Sequence, residues 1–308
     1  LDMLVTSKNH DLKSARARRA APEDWLFALV SLQTQEGFLG AGNYGISRMN
    51  GGFASRAGIG VAPLGSWGER WASDLRSLLA QRAAVADVHG FDRETGHALL
   101  WLVPWSGVES LSMASLDPWY IEVCRRVRLE TNRGRLTART TGSRAPRVAA
   151  EERNGATGDP WTPVDAVEGK ALTVSGNGFE YRLMSELLAG SKLTGGAAQA
   201  LTGWPDGQSL QLIAQATARG KGKTMGYHER RVPISPLLRR LLLGPQRVTV
   251  AQITKHRIEA ISGTSKLLWS ALSVLFDNGK GVDHSGSVND KASVFSRPFE
   301  AHEDSRFF

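Results

Sequence analysis

The sequence predicts an α+β protein. An irregular mixed body with antiparallel hairpins spans residues 1–245, and the start of a C-terminal four-helix bundle spans 246–308. Three observations predict it. Residues 121–141 alternate apolar and polar positions around Asn132-Arg133-Gly134, the pattern of a β-hairpin. Beyond residue 249 the apolar residues change to a helical period, through Val250, Ile253, Ile258, Ile261, Leu268, Leu272 and Leu275. Between these regions lie glycine- and proline-punctuated stretches with no internal repeat, which divide the body into short elements.

In chain order, Leu1–Ala21 is polar and basic. Pro22-Glu23-Asp24 opens an apolar helix, Trp25–Gln35, because proline and acids suit a helix N-terminus. Gly37–Gly60 then holds eight glycines, two arginines and no acid. Trp67–Ala86 reads as an amphipathic helix with Trp71, Leu75, Leu78 and Leu79 at helical spacing. Trp101, Trp105 and Trp119 lie in a Pro/Gly-punctuated stretch, and the chain's nine tryptophans, Trp67 and Trp71 included, read as core rather than as stacking platforms.

The hairpin places Ile121, Val123, Arg125, Val127 and Leu129 opposite in sense to Glu122, Cys124, Arg126, Arg128 and Glu130, with Leu136–Thr141 returning. Most of its arginines read as a solvated strand face. Val164–Val174 and Phe179–Leu188 suggest a strand and a helix, and Gln208–Ala218 fits either. Arg219–Ile234 reads as a basic, glycine-bearing loop. Ser235–Leu243, Thr249–Asp277 and Asn289–Phe308 read as helices.

Composition bounds the function. The 308 residues carry a formal net charge of +8, which favours a polyanionic partner. The single Cys124 excludes an internal disulfide framework and a multi-cysteine zinc site, and suits a reducing, cytoplasmic setting. The longest apolar runs, Leu99–Val103 and Leu237–Leu243, are too short to span a bilayer, so no membrane partner is expected. The chain begins at Leu1 without methionine and stops within a helical pattern at Arg306-Phe307-Phe308, so a fragment of a longer protein is expected.

Catalytic motifs fail on context. Gly40, Gly42 and Gly45 spell G-x-G-x-x-G, but the segment before them reads as helix. Asn50-Gly51-Gly52 breaks any helix after them, and the first later acid is Glu69. Gly222-Lys223-Thr224 resembles the end of a P-loop, yet the loop's first glycine would fall on Thr217. His228-Glu229 and His302-Glu303 begin like H-E-x-x-H, but Val232 and Arg306 occupy the second histidine's place. No enzyme, cofactor or metal is expected. A phosphate- or nucleotide-handling enzyme built on the glycine-rich loops stays as the alternative.

Binding features are richer. A glycine loop free of acids permits close approach of backbone to a phosphate strand or groove, though a mobile surface loop reads the same way. The 219–234 stretch sets Arg219, Lys221, Lys223, Arg230 and Arg231 around Met225, Tyr227 and His228. Basic residues hold phosphates, and an apolar or aromatic tip can wedge between base steps.

Taken together the segments resemble the CasA family, the large subunits of type I-E CRISPR surveillance complexes (Cascade). The resemblance rests on the order of short blocks: "TSKNHDLKSARA", "DWLFALVSLQTQ", "GFLGAGNYGISRMNGG", "DPWYIEVCRRVRL", "GDPWTPVDAVEGKALTV", "KTMGYHERRVPI", "SGTSKLLWSALSVLFDNG" and "FEAHEDSRFF". It implies a non-catalytic subunit that checks the short PAM beside a target from the minor groove of double-stranded DNA and opens the duplex for guide pairing. A groove code that is degenerate implies tolerance of several PAMs, and guide pairing reads the rest.

Carried onto this chain, the resemblance puts the glycine loop on Gly37, Gly40 and Gly42 with Asn43. It puts the wedge near Met225, Gly226, Tyr227 and His228, with Lys221 and Lys223 beside it. A basic finger falls among Arg144, Arg147 and Arg153, and a loop contacting the 5′ handle of the guide crRNA on Asn9, His10, Asp11, Leu12 and Lys13. It implies the backbone and small subunits of Cascade as partners, and recruitment of a helicase–nuclease by the bundle. Some members carry a longer segment with a wedge glutamine between Gly-Tyr and Glu-Arg-Arg, where this chain has only His228. Some carry a cysteine cluster where this chain has its arginine hairpin, so no zinc is expected here.

Overall fold

The computed structural model describes residues 15, 20–37, 40–51, 56–220, 223–277, 279 and 286–308. The fold is α+β, with short, mostly antiparallel pairings in the body (His97–Leu99 and Leu116–Ile121 pair in parallel) and helices at the C-terminal end. The chain divides into two units, 1–179 with 191–231, and 180–190 with 232–308.

In the first unit, helix α1 (Pro22–Gln35) starts with proline in its first turn, and the Asp24 carboxylate accepts from the Ala21 N–H at 2.8 Å. It buries Ala28, Leu29, Leu32 and Gln33. Strand β1 (Ala57–Pro63) is nearly all buried. Helix α2 (Trp67–His89) is closed by a reciprocal Ser66–Glu69 cap at its start and by left-handed Gly90 at its end. The helix is as expected, but its tryptophans are not core. Trp67 and Trp71 are 78% and 68% exposed, and Leu79 is exposed too, so this stripe faces outward.

Short strand β2 (His97–Leu99) lies beside β3 (Leu116–Ile121), and Leu100, Leu116, Tyr120, Phe91, Met113 and Val148 form a core cluster with Ala86 of α2. The expected hairpin is present as β4 (Arg126–Asn132) and β5 (Arg135–Thr141), with Arg133 and Gly134 both at positive φ. That is the two-residue turn whose twist matches antiparallel strands.

Its first half departs from the expected alternation. Ile121 is exposed, whereas Glu122 and Cys124 are buried. Residues 122–125 belong to neither strand, and contacts far away in sequence set their sides. Glu122 accepts from the Ser47 N–H and hydroxyl at 2.8 Å each, and the Cys124 N–H donates to Gln33 Oε1 at 2.8 Å.

Further strands are short: β6 (Val164–Asp165) pairs with β7 (Leu193–Thr194), the latter following helix α3 (Tyr181–Ala189) of the second unit. Strand β8 (Leu210–Gly220) is the centre of a three-stranded sheet in the order β1, β8, β9, antiparallel to β1 with Ile59 opposite Ala214. β9 (Lys223–Ile234) corrects the sequence reading of a loop over 219–234. Its side chains alternate out and in, with Met225, Tyr227 and Glu229 outward and His228, Val232 and Ile234 inward. Two intervening residues leave room only for antiparallel pairing of β8 with β9. Basic composition masked that period of two.

The second unit holds α3, α4 (Pro236–Leu243), α5 (Arg247–Phe276) and α6 (Gly286–Arg306), the last three close to expectation. Phe307 packs on Tyr181 at 4.8 Å between ring centroids and under the Arg257 guanidinium at 4.4 Å. Phe276 packs on Phe295 at 5.5 Å. The seven apolar residues of α5 do not share one buried face: Ile253 and Leu275 are exposed. No helix among the described residues is long and apolar enough to cross a membrane.

Candidate nucleic-acid interface

The glycine loop is a tied structure. Its base is closed by the Ile46 N–H donating to the Glu36 carbonyl at 3.0 Å. At the near end the buried Glu36 carboxylate pairs with the Arg219 guanidinium at the end of β8, and Arg125 Nη2 donates to the Gly37 carbonyl at 2.7 Å. At the far end the Ser143 N–H donates to the Gly42 carbonyl at 3.1 Å, and the Tyr44 hydroxyl donates to the Arg144 carbonyl at 3.2 Å.

Between those ties the chain turns at Gly40 (φ 143°) and Gly42 (φ 83°), and the Asn43 N–H donates to the Gly40 carbonyl at 2.8 Å. Positive φ at both positions is why glycine is needed there. A side-chain carbon placed on Gly40 would meet nothing within 4 Å, and Asn43 is exposed. Gly37 differs, being buried with its carbonyl occupied by Arg125. The open part of the loop is therefore Gly40–Asn43.

The second feature is the β9 edge. Lys223, Met225 and Tyr227 are exposed on one side of the strand, with Met225 and Tyr227 55% and 54% accessible. Gly226 between them has φ 132°. The Tyr227 hydroxyl donates to Glu229 at 3.1 Å, and Glu229 also accepts from Arg231 Nε at 2.7 Å and Gln215 Nε2 at 3.0 Å. These bonds, those of Gln215 and Arg231 foremost, hold the Glu229 carboxyl below its usual range. His228 points the other way, against Gly178, with its Nε2 buried and without a partner.

The expected basic residues scatter. Arg144 is exposed at the far tie of the glycine loop, and Arg153 is exposed in a short 3-10 helix, Glu151–Arg153. Arg147 is 3% exposed, donates to the Val103 carbonyl at 2.9 Å and stacks over Trp105 at 5.3 Å. It is not a protruding side chain. Asn9, His10, Asp11, Leu12, Lys13 and Lys221 lie outside the described residues.

Sequence reasoning missed the residues that organise this region. Gln33 is 1% exposed; its Nε2 donates to the Arg125 carbonyl at 2.7 Å and its Oε1 accepts from the Cys124 and Arg125 N–H groups. Burial pushes the adjoining Cys124 thiol up to about 12, which makes it an inert packing group. Burial also pulls Arg125 below its ordinary value. A glutamine on the apolar side of α1 was the available signal. Nothing in the sequence says which backbone it would serve.

No family model matches the chain, and no curated protein matches it. Solved structures do. Among them is one described as the CRISPR-associated protein Cse1 from Acidimicrobium ferrooxidans, with a TM-score of 0.49 and 14% identity. The alignment covers 88% of this chain and 57% of that one, so the chain spans little more than half of that structure's length. The likeness assigns no role to any residue here.

Among the described residues there is no group of three His, Cys, Asp or Glu side chains able to hold a metal ion. What the region offers chemically is contact: open backbone at Gly40–Asn43 and an exposed Lys-Met-Tyr edge at 223–227. The Glu36–Arg219 pair ties the base of the first to the strand that leads to the second.

Proposed function

We propose that this chain is a non-catalytic CasA-like subunit of an RNA-guided surveillance complex, reading the PAM of duplex DNA from the minor groove. In this reading Gly40, Gly42 and Asn43 follow the groove, because bare backbone can approach where a side chain would stand off. Met225 and Tyr227 supply the apolar wedge that opens the first base pairs, and Lys223 with Arg144 holds the flanking phosphates. Asn9–Lys13 contact the guide's 5′ handle, and the helical unit receives the helicase–nuclease.

The observation that carries the reading is the coupling of the glycine loop to the wedge strand. Glu36, the residue just before the loop, is ion-paired to Arg219 of β8, and β8 pairs with β9, which bears Met225 and Tyr227. A groove reader and a wedge held on one rigid support act on the same short stretch of duplex. The ordered sequence blocks that resemble the CasA family add the second support.

The test is target binding by the particle assembled with guide RNA and partner subunits. Gly40→Trp meets no neighbour at its first side-chain atom, so the chain should still enter the particle. Binding of a PAM-bearing duplex should fall at least tenfold. Binding of a target already open at the PAM-proximal end should change far less. Unchanged duplex binding would remove the glycine loop from the function.

A further inference from the structure

A cavity of about 430 Å³ lies between the β4–β5 hairpin and the Trp101–Trp105 segment, and its lining includes no residue of Gly40–Asn43 or of β9. Five arginines and two tryptophans line it, and no acidic residue does. That composition is unusual for a cavity left by imperfect packing, which is normally apolar.

Three N–H donors of its lining residues are buried without an acceptor: Arg125 Nη1, Arg147 Nε and Trp105 Nε1. Arg125 and Arg147 are 6% and 3% exposed. The other guanidinium nitrogens of Arg147 donate to the Val103 and Pro104 carbonyls, and that of Arg125 to the Gly37 carbonyl. Neither arginine is in any ion pair among the described residues; Arg125 and Arg219 share the field of one carboxylate, Glu36, which is paired to Arg219. Buried cations with too little counter-charge are costly, and a bound anion relieves that cost. At the hairpin, Arg128 stands directly opposite Arg139, both exposed and sharing the Glu130 carboxylate at 3.9 and 3.4 Å. Trp101 is 38% exposed, with ring surface available to a flat partner.

We propose that this cavity is a binding site for one unpaired nucleotide of a single-stranded nucleic acid. Arg125 and Arg147 would take its phosphate, Trp101 would stack on the base, and Arg128 and Arg139 would hold the neighbouring phosphates. The volume is in the range of small-ligand pockets and admits a single nucleotide rather than a duplex. Arginine with aromatic faces is the chemistry by which proteins hold single strands without reading sequence. None of its lining residues belongs to the duplex-reading loop, although Arg125 also holds the Gly37 carbonyl at the start of that loop.

Fluorescein-labelled dT8 and rU8 are the probes, titrated with the full chain at 50 and 150 mM NaCl. The wild type should bind at least one of them, more weakly at the higher salt. Whichever binds tighter identifies the strand as DNA or RNA. Trp101→Ala should fold, since the side chain is partly exposed, and should weaken binding about tenfold. Arg128→Ala with Arg139→Ala should lower the salt slope by one to two. Absence of binding by the wild type would overturn the proposal. So would full affinity in Trp101→Ala, or equal competition by a blunt duplex.

Discussion

Glu36 and Arg219 form a buried ion pair across 183 residues of sequence, joining the start of the glycine loop to the end of β8. Arg125 lies close enough to feel both charges. Removing Glu36 therefore leaves two arginine charges buried together. Glu36→Gln should cost about 3–5 kcal/mol in urea unfolding, the usual penalty for breaking a buried pair. Glu36→Leu combined with Arg219→Met should recover most of that loss, because no uncompensated charge of the pair remains. Strictly additive losses in the double variant would show that the two side chains do not interact.

Gln33 gives a second prediction. It satisfies three backbone groups of Cys124 and Arg125 at once. Gln33→Leu keeps the volume and strands all three. The expected destabilisation is about 2–4 kcal/mol, read as a shifted urea midpoint with an unchanged slope. A loss below about 0.5 kcal/mol would mean that water or a rearranged backbone replaces the amide.

Glycines provide a contrast within one chain. Gly155 has φ 83°, and a side-chain carbon there would lie 2.4 Å from the Met49 carbonyl carbon and 2.7 Å from the Asn50 nitrogen. Gly155→Ala should cost more than about 3 kcal/mol, through overlap and backbone strain together. Gly40→Ala meets open space and should cost about 1 kcal/mol from its positive φ alone. Thermal unfolding of the two variants compares them directly.

Glu122 makes stability depend on pH. Burial pushes its carboxyl up to about 7 from an unfolded value of 4.5, against the opposing pull of Ser47, Arg48 and Arg56. The folded state therefore holds a proton that the unfolded state gives up between these values. The stabilisation is complete below about 4.5 and is lost as pH rises through about 7, amounting to about 3 kcal/mol. Glu122→Gln keeps the shape and cannot ionise. The stability difference, wild type minus variant, should fall between pH 5 and pH 8. A difference that stays flat would place the Glu122 ionisation elsewhere.

The wedge prediction separates function from stability. Met225 and Tyr227 are more than half exposed, so Met225→Ala with Tyr227→Ala should change stability by less than about 1 kcal/mol. Opening of a PAM-bearing duplex, followed by 2-aminopurine fluorescence beside the PAM in the assembled particle, should slow at least tenfold. An unchanged opening rate would exclude both side chains as the wedge.

Local signals made much of this protein legible from its sequence. The α+β class, the Arg133-Gly134 turn, the Trp67 helix and the three C-terminal helices all rest on features within a few residues of one another, and such features survive in any tertiary setting. The open glycine loop was readable for the same reason, since Gly40 and Gly42 take conformations that local sterics reserve for glycine.

Only the tertiary structure decided which side chains are inside. Arg125 and Arg147 look like hairpin surface in sequence and are buried, because carbonyls of Gly37, Val103 and Pro104 are brought to them. Trp67 and Trp71 look like core and face outward. Residues 219–234 look like a loop and form strands, because β1 pairs with β8 and β8 with β9. For the two arginines and for β8 the deciding partner lies tens of residues away. Burial of a long side chain is set by what packs on it, and a one-dimensional pattern carries no distance between such partners.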